Sequence, residues 1–211
     1  MRWLTLLLPL SLFAGPYAAQ DYSPLMDMKG FSKGLLELHF KLYQGYVTQS
    51  NDLSDKLATL KGAEYGALKR RFEWEFNGMR LHELYFSNLG GTGEPDPKSA
   101  VVQALAKQYQ TFDAWKADFI ATGTMRGIGW AILYIDTVNG RLMNTWIEEH
   151  DTGHPALAQP LLVMDVFEHA YMPQYGLDKA AYIDAFFQNI DWNRVAARYD
   201  ASKLSAAPLP R

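Results

Sequence analysis

The chain has 211 residues, of which 48% are hydrophobic and 14% aromatic, enough to bury one sizeable core or two small ones. Its formal net charge of −3 gives no indication of nucleic acid or an acidic surface as a partner. The absence of cysteine excludes disulfides, thiolate metal ligands and cysteine nucleophiles.

The N-terminal segment has the pattern of an export signal. Arg2 is followed by an apolar stretch from Trp3 to Ala14, too short to span a bilayer, and then by small residues up to Ala19. We predict a signal peptide over residues 1–19 and an exported protein, periplasmic or secreted, with no membrane attachment after cleavage. No clean cleavage motif is present, and the alternative is that the segment is retained as an anchor.

Two stretches between residues 31 and 89 show helical periodicity, and each carries one histidine. In both, apolar residues recur at three- and four-residue spacing, which places them on one face of a helix. They are Leu35, Leu38, His39, Leu42, Tyr43 and Tyr46 in the first stretch, and Phe72, Phe76, Met79, His82, Phe86 and Leu89 in the second. The pattern predicts an antiparallel helical hairpin, with both histidines in its seam, as an N-terminal domain over residues 20–93.

The second half mixes helices and strands after a linker rich in glycine and proline at residues 90–97. Helices are predicted over 97–109, 111–122, 178–189 and 192–199, and strands over 129–135, 141–147 and 160–165. Asn139-Gly140 predicts a hairpin between the first two strands. We expect a C-terminal domain over residues 94–203 and a tail over 204–211.

A carboxylate and an imidazole lie four residues apart in Asp165-Val166-Phe167-Glu168-His169, after an apolar run. Asp165 is expected at a strand end and His169 in the following loop. With His39 and His82 they would form a site of three imidazoles and one carboxylate, which suits iron, manganese or zinc. The alternatives are ordinary core histidines and a surface Asp–His pair.

These residues belong to motifs that closely resemble those of the iron/manganese superoxide dismutases, over about residues 31–199. The motifs are Leu38-His39-Phe40, Tyr46-Val47 with Asn51, His82-Glu83-Leu84-Tyr85-Phe86, Gly127-Ile128-Gly129-Trp130, and the segment from Asp165 to Tyr171. The resemblance implies that His39, His82, Asp165 and His169 bind one iron or manganese ion per subunit. It implies an α+β fold, a helical hairpin followed by an α/β domain with a three-stranded antiparallel sheet. It also implies the reaction, in which two superoxide anions and two protons give dioxygen and hydrogen peroxide.

The residues around the implied metal depart from the commonest family pattern. A glutamine usually contacts the solvent ligand of the metal, from the second helix in typical iron members or from the sheet in typical manganese members. The helix position is Gly78 here, and the sheet position is His150, which the resemblance therefore assigns to this role. The alternative is that His150 is an exposed turn residue. His154, next to Pro155, is predicted to be a surface residue.

The tyrosine at the entrance to the site, the gateway tyrosine, also departs from the pattern. In the family it lies eight residues after the first ligand, whereas Tyr46 lies seven after His39. Read with one deletion, Tyr46 matches the gateway tyrosine, and we favour it. Read without a gap, Tyr43 falls where the family usually has a histidine in the substrate funnel, and it is the alternative gateway residue. Either tyrosine would share a helix face with His39.

The resemblance implies a homodimer linked by Glu168 of each chain and His169 of the other. A second cross-subunit pair of the family, a histidine and a tyrosine, is replaced by Tyr43 and Met172. A tetramer is not excluded by the sequence. Two other functions also remain open, a catalytically silent protein of this fold that binds metal or a partner, and a zinc hydrolase. Four protein ligands fill a tetrahedral zinc site, which argues against the hydrolase.

Overall fold

The computed structural model describes residues 16–204, and the helical hairpin comes first. Helix α1 spans Lys33–Leu57, and α2 spans Gly62–Ser87 and returns along it. The Ser32 hydroxyl caps α1 by accepting a hydrogen bond from the Leu35 N–H. His39, near the start of α1, and His82, near the end of α2, lie side by side with their rings 5.1 Å apart.

Most of the predicted apolar stripe of α1 is buried, and Leu42 is partly buried. Leu35, Tyr43 and Tyr46 are in the core, whereas 59% of Leu38 is exposed. The prediction that Leu38 belongs to the buried stripe was therefore wrong in the isolated subunit. Leu38 lies at the edge of the stripe, one residue before the buried His39, where the helix face turns towards the surface.

The second half contains five helices and three strands within the described residues. They are α3 Ala100–Tyr109, α4 Phe112–Thr124, β1 Gly129–Asp136, β2 Leu142–Glu148, β3 Ala158–Asp165, α5 Glu168–Tyr175, α6 Lys179–Gln188 and α7 Trp192–Leu204. The strands form the three-stranded antiparallel sheet that the resemblance implied, and their order in the sheet is β2-β1-β3. At the end of the sheet next to the hairpin, Trp130 pairs with Ile147 on one side and Asp165 on the other.

Helix α5 corrects the expectation that His169 lies in a loop. Asp165 ends β3, and its Oδ1 accepts a hydrogen bond from the Phe167 N–H. This bond turns the chain sharply, so that α5 begins at Glu168 and His169 is its second residue. The turn brings His169 back over Asp165.

The predicted linker at residues 90–97 lies against the end of α6. The Gly91 N–H donates to the Asn189 carbonyl, and the Gly93 N–H donates to the Ile190 carbonyl. A Cβ atom at Gly91 would lie 2.4 Å from the Ile190 oxygen, so this approach requires glycine. Side chains from both halves of the chain form one continuous core.

Residues 16–22, which we call the strap, lie on the hairpin. Tyr17 and Asn51 exchange two hydrogen bonds between the Tyr17 backbone and the Asn51 amide, of 2.8 and 2.9 Å. The Gln20 N–H donates to the Tyr43 hydroxyl over 3.0 Å. Residues 1–15 of the predicted signal peptide lie outside the described range. No helix within residues 16–204 combines the length and apolar character needed to cross a membrane.

Candidate metal centre

Four side chains from four elements meet where the hairpin faces the sheet. His39 comes from α1, His82 from α2, Asp165 from the end of β3 and His169 from α5. The Asp165 Oδ2 lies 3.1 Å from the Nε2 atoms of His39 and His169 and 3.5 Å from that of His82. One donor atom from each side chain lies within 4.8 Å of all the others.

These distances fit donors that share one ion. Two ligand atoms about 2.1 Å from an ion and about 90° apart would lie ~3 Å from each other. The Nε2 of His82 is buried and has no hydrogen-bond partner among the described residues. A buried polar atom is rarely left without a partner, and a metal ion between the four donors would supply it.

Hydrogen bonds orient two of the donors. The Nδ1–H of His82 donates to the Gly78 carbonyl over 2.6 Å, because a carbonyl oxygen only accepts. The Nε2 of His82 therefore carries a lone pair that points into the site. The Oδ1 of Asp165 is held by the Phe167 N–H, which leaves Oδ2 to face the imidazoles.

Burial and charge set the protonation of the site. Burial lowers the pKa of His39 and lowers the pKa of His82 further, although Asp165 opposes both shifts. Burial alone would raise the pKa of Asp165, but His169 and His39 outweigh it and hold that pKa well below its usual range. The surroundings of Asp165, His39 and His82 therefore favour the carboxylate and neutral imidazoles, the forms that bind metal ions.

Tyr46 and His150, which we call the outer pair, lie beside this cluster. The Nε2 of His150 is 2.8 Å from the Tyr46 hydroxyl oxygen, and the Tyr46 ring lies 5.0 Å from the His82 ring. His150 is fully buried rather than an exposed turn residue, which excludes that alternative. Its burial lowers its pKa to about 4, so the ring is neutral at neutral pH.

Trp130 fixes which nitrogen of His150 carries the proton. The indole N–H of Trp130 donates to the His150 Nδ1 over 3.0 Å, and an indole nitrogen cannot accept. A neutral His150 must therefore carry its proton on Nε2 and donate it to the Tyr46 oxygen. The Tyr46 hydroxyl proton is left free to point elsewhere.

Gly78 leaves room for the outer pair. A Cβ atom at this position would lie 2.7 Å from the Tyr46 Cδ1 and 3.2 Å from the His150 Cδ2. The space next to the α2 backbone is thus already occupied by these two rings. A side chain at position 78 would displace them.

The Tyr43 ring lies 6.4 Å from the His82 ring. Its hydroxyl donates to the Glu83 carboxylate over 3.0 Å and accepts the strap N–H of Gln20. Burial raises its pKa to about 12. Because these partners use its hydroxyl, Tyr46 is the tyrosine that bonds His150.

Three further contacts with His150 were missed by the sequence reasoning. The rings of Trp74 and Phe167 lie 4.5 and 4.6 Å from the His150 ring. The Nε2–H of His154 donates to the His150 carbonyl over 2.9 Å. His154 is exposed as expected, and its bond to the His150 carbonyl depends on a turn conformation that the sequence pattern does not indicate.

Comparison with known proteins identifies the family to which this sequence belongs. The profile described as "Iron/manganese superoxide dismutases, C-terminal domain" matches residues 97–198. Superoxide dismutase (Fe) of Cupriavidus metallidurans is 36% identical over 184 residues, which cover 83% of this chain and 91% of that protein. The chain belongs to the iron/manganese superoxide dismutase family.

Relatives named for either metal are about equally similar to this chain. Superoxide dismutase (Mn) 2 of Haloferax volcanii is 34% identical over 77% of the chain and 83% of its own length. Superoxide dismutase (Fe) of Aquifex pyrophilus is 33% identical over 86% of the chain and 90% of its own length. The cluster at His39, His82, Asp165 and His169 fits the single iron or manganese ion of a superoxide dismutase.

Proposed function

We propose that this protein is an exported, homodimeric superoxide dismutase. Its iron or manganese ion is held by His39, His82, Asp165 and His169. The observation that carries the proposal is the convergence of three imidazole nitrogens on one oxygen of Asp165. The bound ion would supply a one-electron redox couple, so that one superoxide is oxidised to dioxygen and a second superoxide, together with two protons, is reduced to hydrogen peroxide.

The outer pair supplies orientation and a proton path. Because His150 donates to the Tyr46 oxygen, the Tyr46 hydroxyl proton is free to be donated towards the site. Burial raises the pKa of Tyr46, which keeps this proton in place at neutral pH. We therefore assign Tyr46 as the gateway tyrosine. Because Trp130 and Tyr46 engage both ring nitrogens of His150, we assign His150 to orienting Tyr46 rather than to the direct solvent contact expected from the resemblance.

Residues at the surface next to His169 support the dimer. The His169 side chain is 26% exposed, and its Nδ1 has no hydrogen-bond partner among the described residues. Glu168 is exposed beside it. A carboxylate is a usual acceptor for the free N–H of a metal-binding imidazole, and Glu168 of a second subunit would supply it. The exposed Leu38 and Met172 are apolar, as an interface requires.

Export rests on the N-terminal sequence. Arg2 and the apolar segment from Trp3 to Ala14 have the order and length of a signal peptide. We expect cell fractionation to find the protein in the periplasm or the medium. A cytoplasmic protein that retains residues 1–15 would contradict export without affecting the enzymatic proposal.

The test combines metal analysis with superoxide consumption. The wild-type protein should contain about one iron or manganese ion per subunit and should be active. Asp165→Ala should lose both metal and activity, because it removes the carboxylate that faces all three imidazoles. Asp55→Ala, an exposed change on α1, is the control. An active, fully metallated Asp165→Ala variant would contradict the site, and full metal without activity in the wild type would favour the silent alternative.

A further inference from the structure

The turn that carries His150 is closed by a second histidine. The backbones of Glu148 and Thr152 exchange two hydrogen bonds of 3.0 and 3.2 Å across it. The Nε2–H of His154 donates to the His150 carbonyl over 2.9 Å. The Tyr134 hydroxyl lies 2.8 Å from the remaining nitrogen, Nδ1, and donates to it when His154 is neutral.

Strand β1 therefore holds both histidines of the turn. Trp130 and Tyr134 are four residues apart in the strand, and side chains at even spacing point to the same face. Trp130 bonds the ring of His150, and Tyr134 bonds the ring of His154. Trp130 thus fixes the His150 ring directly, and Tyr134 fixes the His150 backbone through His154.

The turn needs this support because its backbone is unfavourable. Glu149 has φ of 50°, a left-handed conformation that non-glycine residues adopt at a cost. The Trp74 N–H donates to the Glu149 carboxylate over 2.9 Å on the outside of the turn. Without His154, the His150 carbonyl would lose the N–H donor that holds it in the turn, and the alignment of the His150 ring with Tyr46 would loosen.

We propose that His154 is a positioning residue that sets the distance between His150 and Tyr46 through the His150 backbone. This inference rests on the proposed dismutase function and deepens it. Within the described residues, His154 forms no hydrogen bond with the four candidate ligands or with Tyr46, so its effect passes through His150. Outer residues of metal sites change activity by one or two orders of magnitude, and a residue one step further out is expected to act at the lower end.

The first experiment compares His154→Ala with two matched variants of the metal-loaded enzyme. His154→Ala should keep the metal content but lower kcat on the order of tenfold. It should also change the affinity for azide, a small anion, measured from the absorption spectrum of the holoenzyme. His154→Gln should restore most of both, because its amide also offers one donor and one acceptor. Thr137→Val is the control. It removes a 2.7 Å hydrogen bond from the Thr137 hydroxyl to the carbonyl of Leu157, which lies in the same β2–β3 connection as His150 but at its other end, and it should change neither kcat nor azide affinity.

A double variant separates positioning from general loosening. If His154 acts through His150, adding His154→Ala to His150→Ala should cause no further loss of kcat, because the positioned ring is already absent. Independent, multiplied losses would overturn the proposal, as would wild-type kcat and azide affinity in His154→Ala. If His154→Ala fails to fold, Tyr134→Phe provides the test, because it removes only the hydroxyl that bonds His154. It should lower kcat and change the azide affinity by less than His154→Ala would. An inactive wild type with full metal would refute the dismutase function instead.

Discussion

At the scale of single residues, Trp130 decides what His150 can do. Because the indole N–H occupies Nδ1, the imidazole offers its one proton to Tyr46 and cannot reverse the bond while it is neutral. A glutamine at position 150 would offer the same combination of one acceptor and one donor. His150 thus accepts one hydrogen bond and donates another, as the glutamine that is commoner in the family could do at this position.

We predict that His150→Ala keeps the metal but loses most of its turnover or changes its preferred metal. The expected loss is about 10- to 100-fold, because the Tyr46 oxygen loses its donor. Activity should be measured after loading with iron and with manganese separately, and His150→Gln should retain more activity than His150→Ala. Unchanged turnover with both metals would mean that His150 has no role in the reaction.

The depressed pKa of His150 predicts a pH dependence of stability. Burial lowers this pKa from 6.5 to about 4, so the unfolded chain takes up the proton first as the pH falls. The contribution of the neutral ring is complete above about pH 6.5 and is lost by about pH 4, a change of about 3 kcal/mol. Urea unfolding of the wild type and of His150→Gln should be compared at pH 7 and pH 4. The unfolding free energy of the wild type should fall by this amount relative to that of the variant. A constant difference would contradict the shift.

Gly78 provides a test of packing around the outer pair. Gly78→Ala would place a methyl group 2.7 Å from the Tyr46 ring, and we expect a destabilisation of about 1–3 kcal/mol together with reduced activity. Gly66→Ala on the same helix is the control, because a Cβ atom there meets nothing within 4 Å. Alanine is the better helix former, so Gly66→Ala should be neutral or stabilising. Thermal unfolding and turnover distinguish the two variants.

At the scale of elements, periodicity predicted the helices and strands whose burial is regular. The strands β1, β2 and β3 were each located to within two residues, and α1 and α2 carry the predicted histidines in their seam. The spacing from His39 to Tyr46 is seven residues, which is nearly two turns of the uninterrupted α1. A regular helix therefore returns Tyr46 to the face of His39 without the extra residue that the family has.

Helix α5 was not predictable in the same way. It has only eight residues, contains Pro173 and buries just Ala170 and Tyr171, so it lacks a helical stripe. Its start depends on the bond between the Asp165 carboxylate and the Phe167 N–H. The contacts of His150 with Trp130 and His154 were equally hidden, because they depend on how β1 lies next to a turn far along the chain.

At the scale of the whole molecule, the candidate metal site lies close to the surface that we assign to the dimer. We predict that Glu168→Gln shifts sedimentation from dimer towards monomer and lowers metal retention, because the partner's His169 loses its anionic acceptor. Glu64→Gln, an exposed change at the start of α2, should leave both unchanged. A wild-type protein that sediments as a fully active monomer at micromolar concentration would contradict the cross-subunit role of Glu168.

The strap has a consequence for how the chain must be processed and produced. Tyr17 lies within the segment that cleavage after Ala19 would remove, and its backbone satisfies both ends of the Asn51 amide. A recombinant chain starting at Pro16 should therefore melt at a higher temperature than one starting at Gln20, by several degrees for the loss of about 1–2 kcal/mol. Equal melting temperatures would show that residues 16–19 of the strap do not contribute to stability. Mass spectrometry of the exported protein would identify its N-terminal residue.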